Sequence, residues 1–161
     1  MRFGDAGSPV LLGELEVDSG GQRRRYFLPF GFIGEEQIHT ALPQHLALAR
    51  VRRGRQVGLI TDGFSLESFV RSLLAGFQEH LRLPGSEGEL QFESTPLLGE
   101  LNLGQEAEVR YLSAEQSNSS VVVGGKLVLK LIRRVNGGVH PELEMGCLLY
   151  TSDAADEEDS V

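Results

Sequence analysis

Apolar and polar positions recur with recognisable periods along this chain, and they predict a mixture of strands and helices. Residues 10–17 are apolar and compatible with a β-strand, and the turn-forming residues 18–21 follow. Residues 23–30 are predicted to form a second strand, with Tyr26, Leu28 and Phe30 on one face. We therefore predict a β-hairpin here. A further short strand is predicted over residues 57–61, followed directly by a turn.

Helical spacing is clearest over residues 66–83, and Ser65 is placed to cap the N-terminus of that helix. The stripe is typical of a helix that buries one face against a sheet. Its members are Leu66, Phe69, Val70, Leu73, Leu74, Phe77 and Leu81. Residues 35–49 also show helical spacing, and we expect two short pieces or a kinked helix because Pro43 interrupts them.

The second half of the chain predicts a separate small sheet. Residues 94–104 have the composition of a linker, and three short apolar runs follow, with the pair Gly124-Gly125 suited to a tight hairpin turn. We expect strands at 109–112, 119–123 and 126–133. The predicted architecture is α+β: an antiparallel sheet with a flanking amphipathic helix over residues 1–104, then a small antiparallel sheet within residues 105–146.

Composition and charge exclude several classes of protein. The net charge of −8 is concentrated at the C-terminus, since residues 1–150 carry 15 basic and 18 acidic residues. A mildly acidic body disfavours a nucleic-acid partner, despite the arginine runs at 23–25 and 50–55. No apolar run approaches the roughly 20 residues that cross a bilayer, and one cysteine cannot form an internal disulfide. We expect a cytoplasmic protein with no membrane and no metal site of its own.

Two features of the second sheet suggest phosphate chemistry. The loop that ends in Ser117, Asn118, Ser119 and Ser120 has small polar side chains and backbone N–H groups that can fold over phosphates. Loop composition alone favours an ordinary turn, because the same residues dominate turns in general.

Lys130 is the second feature, since it is one of only two lysines and alternates with leucines along a strand. Its apolar neighbours on both sides predict that its ammonium needs an anion. That anion is either a nucleotide phosphate or a carboxylate from the helix that Pro141 opens, and we favour Glu144 over Glu142. The alternative is a solvated lysine on an edge strand.

Three stretches of the second half stand out together: Glu115-Gln116-Ser117-Asn118-Ser119-Ser120, Leu127-Val128-Leu129-Lys130-Leu131-Ile132-Arg133-Arg134 and His140-Pro141-Glu142-Leu143-Glu144. They resemble the start of the kinase core in bacterial maltokinases, including those fused to trehalose synthase. The resemblance covers about 30 residues. Residues 10–104 resemble the N-terminal cap of that family more loosely.

The resemblance implies a function and a set of site residues. Ser117, Asn118, Ser119 and Ser120 would cover the phosphates of ATP, Lys130 would bind them, and Glu144 would pair with Lys130. Family members use ATP and Mg²⁺ to convert maltose to maltose 1-phosphate for trehalose, glycogen and other α-glucan metabolism. A trehalose synthase domain is an expected partner within the same chain.

Departures from the family set limits on that expectation. No segment supplies the catalytic Asp or the metal-binding Asp and Asn of a kinase lobe, so we expect a part of the parent enzyme that is inactive alone. The string from Cys147 resembles translated sequencing-adapter DNA, and residues 147–161 are expected to be a disordered or artefactual tail.

Two rival interpretations stay open. A related phosphotransferase that acts on an aminoglycoside, choline or another sugar would share the small sheet and its lysine. A non-catalytic cap or interaction module, attached to a trehalose synthase, would share only the scaffold.

Overall fold

The computed structural model describes residues 1–4, 9–37, 47–86, 88–104, 106–112 and 118–144. The fold is α+β with antiparallel sheets, as the sequence predicts. The strands are β1 (Arg2–Phe3), β2 (Val10–Ser19), β3 (Gln22–Gly34), β4 (Ala47–Arg53), β5 (Gln56–Asp62), β6 (Arg82–Pro84), β7 (Glu89–Gln91), β8 (Val109–Tyr111), β9 (Asn118–Val123), β10 (Leu127–Ile132) and β11 (Arg134–Val135). The main helix is Glu67–Gln78, a short helix is Pro96–Glu100, and 3₁₀ turns lie at Glu35–Gln37 and Gly63–Ser65.

Among the described residues, six strands form one sheet, three form a second, and β6 pairs with β7. The six-stranded sheet has the order β1-β2-β3-β5-β4, and β11 also pairs with β3. Strand β3 is 13 residues long because one edge serves two partners: β5 along its C-terminal half and β11 along its N-terminal half. The three-stranded sheet has the order β10-β9-β8.

The predicted hairpin is confirmed as β2 and β3. Ser19 is the register partner of Gln22, so the turn consists of Gly20 and Gly21. Their φ angles of 62° and 78° lie in the left-handed region, where glycine carries no steric penalty.

The main helix is confirmed, but it is shorter than predicted at both ends. Its N-cap is Leu66, without a side-chain cap, while the Ser65 hydroxyl bonds the carbonyl of Asp62 instead. At the other end His80 adopts a φ of 49° and the N–H of Leu81 donates to the carbonyl of Gly76, which closes the last turn. The chain then enters β6, so Leu83, at the end of the predicted helix, belongs to a strand.

The helical prediction over residues 35–49 is wrong where the structure describes it. Glu35–Gln37 forms a single 3₁₀ turn, and the chain from Ala47 is strand β4, an edge strand paired with β5. Strand β4 carries Arg50 and Arg52, which place positive charge on the edge of the sheet. Over so few residues, the spacing of apolar positions does not distinguish a helix from a strand. Pro43 lies outside the described residues.

The predicted three-stranded meander is confirmed. Gly124 and Gly125 have φ angles of 58° and 66°, and they join β9 to β10 as the turn chemistry predicts. The predicted linker over 94–104 contains the short helix.

One hydrophobic core serves both sheets. Its buried side chains come from the six-stranded sheet, the main helix and β9. They include Val10, Phe69, Val70, Val121 and Val123, each at most 2% exposed. The division at residue 104 stays a prediction, but residues on both sides of it are packed into this single cluster. In the described part of the chain, no helix is long and apolar enough to cross a membrane.

Candidate nucleotide-phosphate site

Strand β10 presents two different faces, as its alternating pattern predicts. Leu127, Leu129 and Leu131 pack against the core, so Lys130 lies on the opposite face. That face is more open than predicted, because Val128 beside the lysine is 59% exposed and the Lys130 side chain is 34% exposed. The Lys130 side chain is therefore partly in contact with solvent.

Lys130 pairs with Glu142 rather than with the predicted Glu144. The distance from Lys130 Nζ to Glu142 Oε2 is 2.8 Å. The helical turn starts at Pro141, as predicted, where the carbonyl of His140 accepts from the N–H groups of Leu143 and Glu144. Each residue of a helix is rotated by about 100° from the one before it, so Glu142 and Glu144 point to nearly opposite sides. Because Glu142 points towards the strand, Glu144 points away from it.

The ion pair lowers the pKa of the Glu142 carboxyl. The hydrogen bond from Lys130 holds the pKa of the Glu142 carboxyl below its ordinary value of 4.5, against an opposing effect of desolvation. The positive charges of Lys130 and His140 act in the same direction as the hydrogen bond. Glu142 therefore remains a carboxylate at neutral pH.

Ser120 lies directly opposite Lys130, since the two residues are register partners in β9 and β10. Register partners share a face of the sheet, so the Ser120 hydroxyl belongs to the same surface as the ammonium. These two side chains, with the Glu142 carboxylate, bring two donors and one acceptor to one patch. A phosphate oxygen can accept from both donors.

The other predicted loop residues are placed differently. Ser119 lies on the inner face, where its hydroxyl is 2.8 Å from Arg133 Nη2. The backbone of Asn118 pairs with Ile132 at the start of β9. Ser117 falls outside the described residues. Of this predicted loop, Ser120 is the residue that the described structure brings to Lys130.

Sequence reasoning missed a second charged site, on the inner side of the same sheet. Arg133 donates through Nη2 to Asp62 Oδ2, and these side chains are 17% and 21% exposed. Asp62 also caps the 3₁₀ turn, because its Oδ1 accepts from the N–H of Phe64 at 3.0 Å. Asp62 and Arg133 are 71 positions apart, and the sequence signal at each was only a charge at the end of a strand.

Two other features of the described residues lie apart from this chemistry. An open groove of about 510 Å³ is lined by Gln78, His80, Ser94, Thr95, Pro96, Leu98 and Gly99, none of them a predicted site residue. No group of three or more His, Cys, Asp or Glu side chains within the described ranges is arranged to hold a metal ion.

The patch of Ser120, Lys130 and Glu142 is thus the candidate site, and geometry rather than relatedness supports it. No protein-family model matches this sequence.

Proposed function

We propose that this chain carries the nucleotide-covering sheet of an ATP-dependent phosphotransferase of the maltokinase type, together with its N-terminal cap. The observation that carries the proposal is the ion pair between Lys130 on β10 and Glu142 on the following helical turn. A strand lysine paired with a helix glutamate holds the α- and β-phosphates in protein kinases.

The physical argument rests on how such a pair behaves. A lysine ammonium is a compact point charge on a flexible stem, so it needs a partner to hold it in one place. Glu142 supplies that partner, and the ammonium carries three N–H groups in all. Ser120 supplies a second donor from the neighbouring strand. In this way the chain's own residues would bind and orient the phosphates.

The chemistry of transfer would come from the nucleotide and from groups outside this patch. ATP with its Mg²⁺ would supply the γ-phosphoryl group, and a catalytic Asp with metal-binding residues would belong to a further lobe of the parent enzyme. The resemblance of residues 115–144 supports maltose as acceptor, maltose 1-phosphate as product, and a cytoplasmic role in α-glucan metabolism, either alone or fused to a trehalose synthase.

The phosphate-binding role is tested by titrating the full chain with ATP, ADP, AMP and adenosine. We expect affinity to fall as phosphates are removed, since the contacts assigned to Lys130 and Ser120 are made to phosphate oxygens. Equal affinity for ATP and adenosine would contradict the assignment. No binding of millimolar ATP would mean that the Lys130–Glu142 pair only joins the helix to the strand.

The acceptor is tested in the intact parent protein. Transfer of phosphate from ATP is followed with maltose, choline and an aminoglycoside offered as competing acceptors. Phosphorylation of maltose supports the maltokinase assignment, whereas preference for choline or the aminoglycoside supports the related phosphotransferase.

A further inference from the structure

Arg133 is a junction between the two sheets. It follows the last residue of β10 and precedes β11, and its carbonyl accepts from the N–H of Phe27 in β3 at 2.7 Å. Its guanidinium bonds Asp62 at the end of β5 and Ser119 in β9. A single residue thereby contacts both sheets through its backbone and its side chain.

We propose that Arg133 and Asp62 are positioning residues that fix the three-stranded sheet on the six-stranded sheet and so set the position of Lys130. The attachment of one sheet to the other follows from the contacts of Arg133 alone. Its consequence for nucleotide affinity rests on the function proposed above.

Strand β10 connects Lys130 to the fixed position of Arg133. Arg133 is three positions after Lys130, a distance of about 10 Å along an extended strand. Within β10 the register with β9 is continuous from Leu127 to Ile132, so the strand moves with its neighbour as a unit. Directly after Arg133, the pairing of Arg134 with Tyr26 attaches the chain to β3. The end of β10 is therefore held from both sides.

The environment of the pair indicates that its role is more than stability. Nη1 of Arg133 is buried and has no hydrogen-bond partner among the described residues. The buried guanidinium has lost its hydrogen bonds to water and has replaced only some of them with bonds to the protein. Such a group stabilises a core inefficiently. What the pair does provide is a fixed geometry between two strand ends that are far apart in sequence.

Asp62→Asn is the most selective variant for a test. Asparagine caps helix starts as well as aspartate does, so the bond to Phe64 is retained while the charge facing Arg133 is removed. Arg82→Met is the matched control, because it deletes an exposed ion pair with Glu89 elsewhere in the chain.

Two readouts are measured on the full chain: amide hydrogen exchange of residues 118–132, and affinity for ATP. For Asp62→Asn we expect exchange in this segment to rise about tenfold and ATP affinity to fall about tenfold, the effect of losing one charged hydrogen bond. Arg82→Met should change neither. We expect Asp62→Glu, which restores the charge, to recover most of both effects. If Asp62→Asn does not fold, Arg133→Lys is measured instead, with the same expected directions because a lysine ammonium does not reproduce the planar guanidinium whose Nη2 donates to both Asp62 and Ser119.

The outcomes separate this inference from the proposed function. Unchanged exchange over residues 118–132 in the folded variant overturns the inference, even if Lys130→Met abolishes ATP binding. Faster exchange in a chain that never binds ATP overturns the proposed function and leaves the positioning role standing. Faster exchange with unchanged ATP affinity overturns the claim that the pair sets the position of Lys130.

Discussion

Lys130 on strand β10 and Glu142 on the following helical turn are joined by an ion pair of 2.8 Å between Nζ and Oε2. The residues between them leave β10, pair with β3 through β11, and return to the same side of the three-stranded sheet. The pair therefore closes a loop, and it depends on the register of β11 as well as on the strand that carries the lysine. The pKa of Glu142 therefore indicates whether its ion pair with Lys130 is formed.

Replacing Lys130 with methionine should return the pKa of Glu142 towards its ordinary value of 4.5, because the hydrogen bond that lowers it is lost. The sign follows from linkage: in the wild type the pair stabilises the fold above pH 4.5, and this contribution is lost as pH falls through the lowered pKa. Carboxyl chemical shifts of both proteins, followed by NMR as a function of pH, measure the change. An identical titration of Glu142 in the two proteins would contradict the pairing.

Removing one partner of the buried Asp62–Arg133 pair should cost more stability than removing one partner of an exposed ion pair. Both side chains are less than a quarter exposed, and removal of one partner leaves the other charge buried. We expect Asp62→Ala to lower the free energy of unfolding by about 3 kcal/mol, measured by urea denaturation. Arg82→Ala, in an exposed pair, should cost no more than about 0.5 kcal/mol. Equal effects of the two variants would argue against a buried pair.

A shared core predicts a single unfolding transition for both parts of the chain. Val10 in the six-stranded sheet and Val121 in the three-stranded sheet belong to the same buried cluster. We expect Val10→Ala and Val121→Ala each to shift one common transition, by ~2 kcal/mol. Circular dichroism should show one unfolding midpoint, and the slowest-exchanging backbone amides of the two sheets should have the same free energy of opening. Two separate transitions, each sensitive to only one of the variants, would show that the sheets fold independently.

The Tyr111 hydroxyl should remain protonated well into alkaline solution. Partial desolvation of the residue, which is 43% exposed, raises its pKa to about 12, and the negative charge of Glu67 adds to this effect while Arg71 opposes it. The stabilisation from the protonated hydroxyl is complete below the ordinary value of 10.0 and is lost as pH rises towards 12. Ultraviolet titration of wild type and Tyr111→Phe isolates this residue. A difference signal centred near pH 10 would contradict the burial.

Local sequence signals predicted much of the fold, for identifiable reasons. Paired glycines at 20–21 and 124–125 need left-handed backbone, so both hairpins were evident from turn chemistry. Alternation along residues 127–132 placed the three leucines on one face of β10 and Lys130 on the other, and the structure shows that the leucine face meets the core. The first residues of β4, 47–49, were mistaken for the end of a helix because a short run of apolar residues fits both periods.

The candidate site was predictable only in part. The spacing of residues singled out Lys130 and a helix opened by Pro141, but the choice between Glu142 and Glu144 depends on the rotation of that helix against the strand. The pairing of Asp62 with Arg133 depends on a tertiary approach between residues 71 positions apart. No local periodicity encodes such an approach, so only the three-dimensional arrangement reveals it.

The most direct test of the central claim compares the two lysines of the chain in an ATP titration. Lys126 is the natural control, because it is exposed at the Gly124-Gly125 turn and contacts the carbonyl of Leu101 at 3.4 Å. If Lys130 holds the nucleotide phosphates, Lys130→Met weakens ATP binding by about tenfold or more while Lys126→Met retains wild-type affinity. Equal affinity of both variants and the wild type would contradict the account.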